Sequence, residues 1–440
     1  MSDGHEGAVG PRVTRRGALA VGGAALLAGC GVPKFLGSGP VEVDGGEVAD
    51  IAGRDYPQIT EPFPVDVTQS HVAASRERAH SLLAAAPLPL TADELPNGSM
   101  RDDLHNHAEH ARTHLAEAVE TPSTRERLEL LAHARGPART VAATWAYTRD
   151  ELTAADVREA WESHAADLEA FRERREFVGA DPVRAVIVHD VVDRWLTDAE
   201  DDGVLRSTGD KPATALVVGE HAGTVEEAEA ALGDARHVYE QFVDSLSDPT
   251  SIRERVLAAH DSLAETMDSR LADLPGEDAD VLAEFEGDLE RTVVGETLRS
   301  LHTDLPYEVR VPQDTGAATT FLGRVDGLAT IGAFEAVRDR VEAGDYRTVE
   351  DVEDVLAIRQ AAVTAMEDAL GACADERLGR TVLADLTGWF DYAERDMSRY
   401  DDPVEVEDIA DELAIYVGVE TIAAATPAAV DEALAALDVA

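Results

Sequence analysis

The stretch DDLHNHAEHARTHLAEAVE, residues 102–120, sets four metal-capable side chains along one side of a helix. His107, His110, His114 and Glu117 follow one another at i, i+3, i+7 and i+10. At about 100° per residue they form a stripe roughly 80° wide. Imidazole and carboxylate groups so placed can ligate a divalent transition ion such as zinc. The apolar row of the same helix is Leu104, Ala108, Ala111, Leu115 and Ala118, about 90° round from the stripe. The stripe therefore sits where core meets solvent, which equally describes a solvated polar flank. No H-E-x-x-H metalloprotease pattern accompanies it.

A second constellation lies in VRAVIVHDVVDRWL, residues 183–196, the most apolar helix of the chain. It carries His189, Asp190 and Asp193, with His189 and Asp193 one turn apart. Buried polar groups need partners. Two readings are open: a core network of hydrogen bonds and ion pairs, or a ligand-binding or catalytic dyad. His260 falls on the stripe Val256, Leu263, Met267 and Leu271 and reads as a satisfied core histidine. Trp145, Trp161, Trp195 and Trp389 lie on helical faces as core residues. Cys373 precedes Ala-Asp-Glu, an acidic setting that raises a thiol's pKa and makes it a poor nucleophile. There is no phosphate-binding Gly-x-x-x-x-Gly-Lys loop, no G-x-S-x-G elbow and no dinucleotide fingerprint. No catalytic constellation stands out.

The elements that must position these residues are helical. A period near 3.6 runs through almost the whole chain after residue 64. It places helices at about 66–86, 99–120, 123–150, 153–177, 182–201, 224–247, 250–273, 278–303, 318–343, 348–371, 373–398 and, in pieces, 405–437. Ser123 with Glu126 and Thr224 with Glu227 have capping-box spacing. Asp181-Pro182 places a cap before a proline in the first turn, and Thr348 leads into Asp351 in the same manner. Gly136-Pro137 is expected to kink or break its helix. Strand-like runs are confined to 214–218 and 307–311. The fold expected is all-α, a multi-helix bundle of one or two packed subdomains with seams near 200–212 and 304–317.

Composition sets the solvent. There are 88 acidic against 38 basic residues, a net charge of −50, and only two lysines, Lys34 and Lys211. The acidity is spread along the whole chain, which fits a protein kept soluble in molar salt, where the Debye length is about 3 Å. It argues against nucleic acid as a partner. With 44% hydrophobic residues the chain can build a sizeable core. Its two cysteines are Cys30 and Cys373, and with Cys30 committed to another role no internal disulfide is available.

That role comes from TRRGALAVGGAALLAGC, residues 14–30. Its uncharged run of 15 residues, Gly17 to Gly31, is short of the about 20 apolar residues a bilayer span needs. A positive end, an apolar middle and small residues before a cysteine are the layout of an export signal. Thr14-Arg15-Arg16-Gly17-Ala18-Leu19-Ala20 resembles the S/T-R-R-x-F-L-K signal of twin-arginine-exported proteins, with Ala18 and Ala20 in place of the usual Phe and Lys. Leu27-Ala28-Gly29-Cys30 resembles a lipobox. Together with the acidity, the resemblance is to exported lipoproteins of halophilic archaea. It implies recognition of Arg15 and Arg16 by the twin-arginine machinery, transport in the folded state, and lipidation of Cys30 as the first mature residue. Durable attachment takes more than one acyl chain.

The layout expected is a signal peptide at 1–29, a Gly/Pro-rich tether at 30–64 and a helical extracytoplasmic body at 65–440. Anchored at the outer membrane face, such a body would serve as a binding or structural module of the cell envelope. The alternative is a metal-binding protein or metal-dependent enzyme built on the His107, His110, His114 and Glu117 stripe. Near it, GEHAGT at 219–224 is similar to the G-x-H-x-x-E element of imelysin-like surface proteins, but Thr224 stands where the glutamate belongs.

Overall fold

A computed structural model describes residues 41–200, 214–276, 278–285, 289–309 and 316–438. Arg15, Arg16 and Cys30 lie outside the described residues. Residues 40–440 form one compact unit of all-α architecture, with thirteen helices among the described residues. In chain order they are α1 (Gly45–Ala52), α2 (Gln69–Leu83), α3 (Gly98–Glu120), α4 (Thr124–Thr148), α5 (Ala154–Arg174), α6 (Pro182–Asp198), α7 (Ala215–Asp244), α8 (Arg253–Leu271), α9 (Val293–Val309), α10 (Ala317–Glu342), α11 (Val352–Ala372), α12 (Glu376–Met397) and α13 (Ala410–Ala436). Among the described residues strand is limited to two antiparallel ladders of two residues a side. β1 (Glu42–Val43) pairs with β4 (Val404–Glu405), and β2 (Val178–Gly179) with β3 (Thr250–Ser251).

The first half is built round the α4–α7 pair. Gly223 lies against Gly136 and Thr140, and Gly219 against Thr140 and Thr144, so the two helices run antiparallel at very close approach. A Cβ on Gly219 would stand 2.8 Å from the Thr140 carbonyl oxygen, and one on Gly223 2.8 Å from that of Gly136. The glycines of GEHAGT are therefore contact points of a helix crossing. Helices α2 and α3 pack on the outside of α4, and α5 and α6 on α7. In α3 the buried positions are Leu104, Ala108, Ala111, Leu115 and Ala118, the row the 3.6-residue period picks out. Glu226 of α7 is buried and holds two flanking elements by ion pairs, to Arg78 of α2 and to Arg135 of α4, each at 2.6 Å.

The second half surrounds α13, which touches α8, α9, α10, α11 and α12. This 27-residue helix is long and apolar enough to cross a membrane by length and composition. Its buried positions, from Ala410 to Leu434, lie all round it, as the central helix of a bundle requires. The halves are joined where α6 packs on α10 and α12, over one continuous apolar core. Within the second half, Arg359 of α11 is buried and donates to Glu394 Oε1 at 2.7 Å, which also accepts from Tyr416 at 2.9 Å.

Several expectations need correction. Residues 41–64 are packed structure rather than tether: Val43, Val48, Ile51, Ala52 and Ile59 are buried. The pairing of β1 with β4 is non-local, so no local period announces it. The run 214–218 is helical. Thr214 caps α7 by accepting from Val217 N–H at 3.3 Å, and the helix continues past Gly219. Thr224 is consequently internal, its hydroxyl donating to the Glu220 carbonyl at 3.2 Å. Residues 307–309 end α9, while 310 and 311 lie outside the described residues. Helix α4 runs unbroken through Pro137. Pro137 removes one backbone donor, and Gly136 just before it lies against Gly223 and Glu227 of α7. Ser123 and Asp181 cap α4 and α6 as expected. The Glu126 carboxylate, however, accepts from Thr121.

Candidate functional site: a cleft between the two halves

Helix α6 buries Val183, Ile187, Val191 and Trp195 on its apolar face and carries His189 and Asp193 into the same interior. Their partner is Arg175, the residue that ends α5 in extended conformation. Arg175 Nη1 donates to Asp193 Oδ1 at 2.5 Å, and its Nη2 donates to His189 Nδ1 at 3.4 Å. His189 Nε2–H donates to the Val178 carbonyl at 3.0 Å. That bond fixes the tautomer and leaves Nδ1 as the acceptor. The imidazole stacks on Phe177, with ring centroids 4.0 Å apart. Burial, followed by the Arg175 charge, pushes the His189 pKa down to about 3, although the bond to Val178 opposes the shift. The ring is neutral at physiological pH. Burial likewise holds the Asp193 pKa above the usual carboxylate range, against the pull of Arg175.

His189 and Asp193 are thus joined through Arg175 and not to each other. Of the two readings open from the sequence, the hydrogen-bonded core network describes His189. Asp193 does more, because it lines a cleft of about 440 Å³ together with Arg172, Arg175, Phe177, Leu196, Thr197, Glu200, Arg253, Gly316 and Ala317. Arg172 reaches Glu200 at 2.6 Å. Gly316, at φ +90°, lies so close to the Asp193 carboxylate that no side chain fits at that position. Arg253, the first residue of α8, is exposed and makes no hydrogen bond or ion pair among the described residues, while its charge acts on Asp193. Arg172, Arg175, Arg253 and Gly316 carry no sequence motif. Chain topology alone brings them to His189 and Asp193.

The α3 stripe lies elsewhere. His110 and Glu117 are exposed, and His107 and His114 are half-buried. His114 Nδ1 pairs with Glu117 Oε2 at 3.2 Å, and its ring lies 5.9 Å from that of His133 on α4. His133 in turn reaches Glu227 of α7 at 3.5 Å. His107 faces Glu220 and His110, its pKa lowered chiefly by burial. Among the described residues no group of three or more His, Cys, Asp or Glu side chains is arranged to hold a metal ion. His260 is half-buried, paired with Asp261 at 3.2 Å and accepting from Arg324 at 3.3 Å. Burial, then Asp431 and Asp375, pushes the Cys373 thiol up to about 11, so it is a poor nucleophile.

The two halves coincide with two family matches. No curated protein and no solved structure matches the chain. Residues 70–248 match the family DUF8262, described as a domain of unknown function, and residues 253–435 match DUF8264, described in the same words. The matches meet at 249–252, where β3 pairs with β2. Of the seams expected near 200–212 and 304–317, residues 201–212 and 310–315 lie outside the described residues. The cleft takes residues 172–200 from the first match and Arg253, Gly316 and Ala317 from the second.

Proposed function

We propose that this protein is a lipid-anchored, extracytoplasmic binding module of a salt-adapted cell envelope, exported folded by the twin-arginine machinery. The observation that carries the reading is the leader of residues 14–30. It pairs Arg15-Arg16 with an apolar run too short to span a bilayer and ends at Cys30, eleven residues before the packed body begins at Val41. The charge of −50 supports a high-salt exterior. The cleft supports binding: it is concave, lies between two halves of the body, and is lined mainly by charged and polar side chains, Arg172, Arg175, Asp193 and Arg253 among them.

Cell fractionation tests the placement. Cys30→Ser releases the protein to the medium, and Arg15→Lys with Arg16→Lys holds it in the cytoplasm. Unchanged distribution of both variants removes the reading.

A further inference from the structure

We infer that the stacked imidazoles of His71 and His237 form an acid-operated latch, which holds the start of α2 on α7 near neutral pH and releases it on acidification. Helix α2 packs on α4 and reaches α7 through side chains, Arg78 to Glu226 and, at its start, His71. The rings of His71 and His237 lie with centroids 4.1 Å apart and planes within 4° of parallel. Their hydrogen bonds give them different roles. His71 Nε2–H donates to Oδ1 of Asp234, a buried carboxylate of α7, at 2.5 Å. His237 Nε2 accepts the backbone N–H of Thr68 at 3.3 Å, with the Thr68 hydroxyl 3.4 Å away. A ring nitrogen that accepts an N–H carries no proton of its own, so the latched arrangement requires a neutral His237. Thr68 also caps α2, its hydroxyl accepting from His71 N–H at 3.4 Å. One residue thus ties the start of the helix to the ring that must stay neutral.

A proton on His237 undoes this in two ways. Nε2 becomes a donor and sets its proton against the Thr68 N–H. The new cation also lies flat against His71, whose charge already acts on it. Burial, and after it the His71 charge, holds the His237 pKa below the 6.5 of a free imidazole. Within the same cluster, burial holds the Asp234 carboxyl above its usual range; His71 and Arg135 of α4 oppose that shift, and Glu129 of α4 adds to it. On α7 itself Asp234 precedes His237 by three residues and Glu240 follows it by three. The sign is therefore fixed: the latched state refuses a proton that the released state accepts. Farther along α2, Arg78 and Glu226 meet at 2.6 Å and hold no group that titrates near neutrality. Release is confined to the start of the helix.

Hydrogen exchange on the folded full chain, followed by mass spectrometry at about pH 7.5 and about pH 5.5 in one salt, tests this. Rates are corrected for the pH dependence of the exchange chemistry. In the wild type the amides of 70–76 lose protection about three- to tenfold on acidification, relative to those of α6 and α11. His237→Gln keeps an oxygen that accepts the Thr68 N–H and has nothing to titrate, so its α2 protection is the same at both pH values. Protection of α11 in the variant shows that it is folded. The wild-type comparison stands by itself: an acid response no larger in 70–76 than in α6 and α11 overturns the latch. So does a His237→Gln response as large as that of the wild type.

Discussion

Arg175 and Asp193 meet at 2.5 Å with only about a tenth of each side chain exposed. The pair is the hinge of the local chemistry. It neutralises two groups that burial would otherwise penalise, fixes the guanidinium that donates to His189, and places Asp193 beneath Gly316 of the other half.

Breaking one side of this pair costs more than removing both. Arg175→Met strands the Asp193 carboxylate and is expected to destabilise the fold by roughly 3 kcal/mol. Arg175→Met with Asp193→Leu recovers most of that loss. Urea unfolding of the three proteins at one salt concentration measures it; equal stability of the single variant and the wild type contradicts the account.

The α4–α7 crossing predicts an ordering among glycines of a single helix. Gly219→Ala and Gly223→Ala force a methyl onto backbone carbonyls 2.8 Å away and cost at least about 1–3 kcal/mol. Gly233→Ala, with nothing within 4 Å of the new Cβ, gains roughly 0.5–1 kcal/mol from helix propensity. Thermal unfolding reads both signs, and a stabilised Gly219→Ala variant would show the close crossing to be wrong.

Acid should act through His189. Its folded pKa of about 3 lies below the 6.5 of a free imidazole, so between those values the unfolded chain takes up a proton that the folded chain refuses. Stability from this residue is complete above about pH 6.5 and falls as pH drops toward 3, by at most about 1.4 kcal/mol per unit. Across pH 6.5 to 4, His189→Gln loses stability less steeply than the wild type. Parallel curves would mean that His189 already carries its proton in the fold.

What the sequence disclosed divides along physical lines. The α3 apolar row, the Ser123 and Asp181 caps and the partnered state of His189 follow from local rules: helical period, cap chemistry and the cost of an unpaired buried group. Misread features depended on distant chain. Thr224 has the form of a cap, but Thr214 starts the helix ten residues earlier, and Gly219 and Gly223 are there for α4 rather than to interrupt α7. Residues 41–64 look like a linker until β4 supplies the partner of β1. Arg175 and Arg253 belong to no motif, since their meaning arises only when α5, α6, α8 and α10 are assembled.

The histidine stripe offers a direct comparison of two readings. With His110 and Glu117 exposed and His114 satisfied by Glu117, the polar-flank reading predicts less than one zinc per chain after purification without chelator in concentrated salt. His110→Ala with His114→Ala leaves that content unchanged. Stoichiometric zinc lost in the double variant would instead establish the metal reading.

The central claim is that the mature protein is a folded body held at the outer membrane face by lipid on Cys30. Intact-mass analysis of protein extracted from native membranes tests it most directly. A chain that starts at Cys30 and carries the added mass of more than one acyl or isoprenoid chain is the predicted result. A chain retaining residues 1–29, or one starting at an unmodified Cys30, contradicts the account.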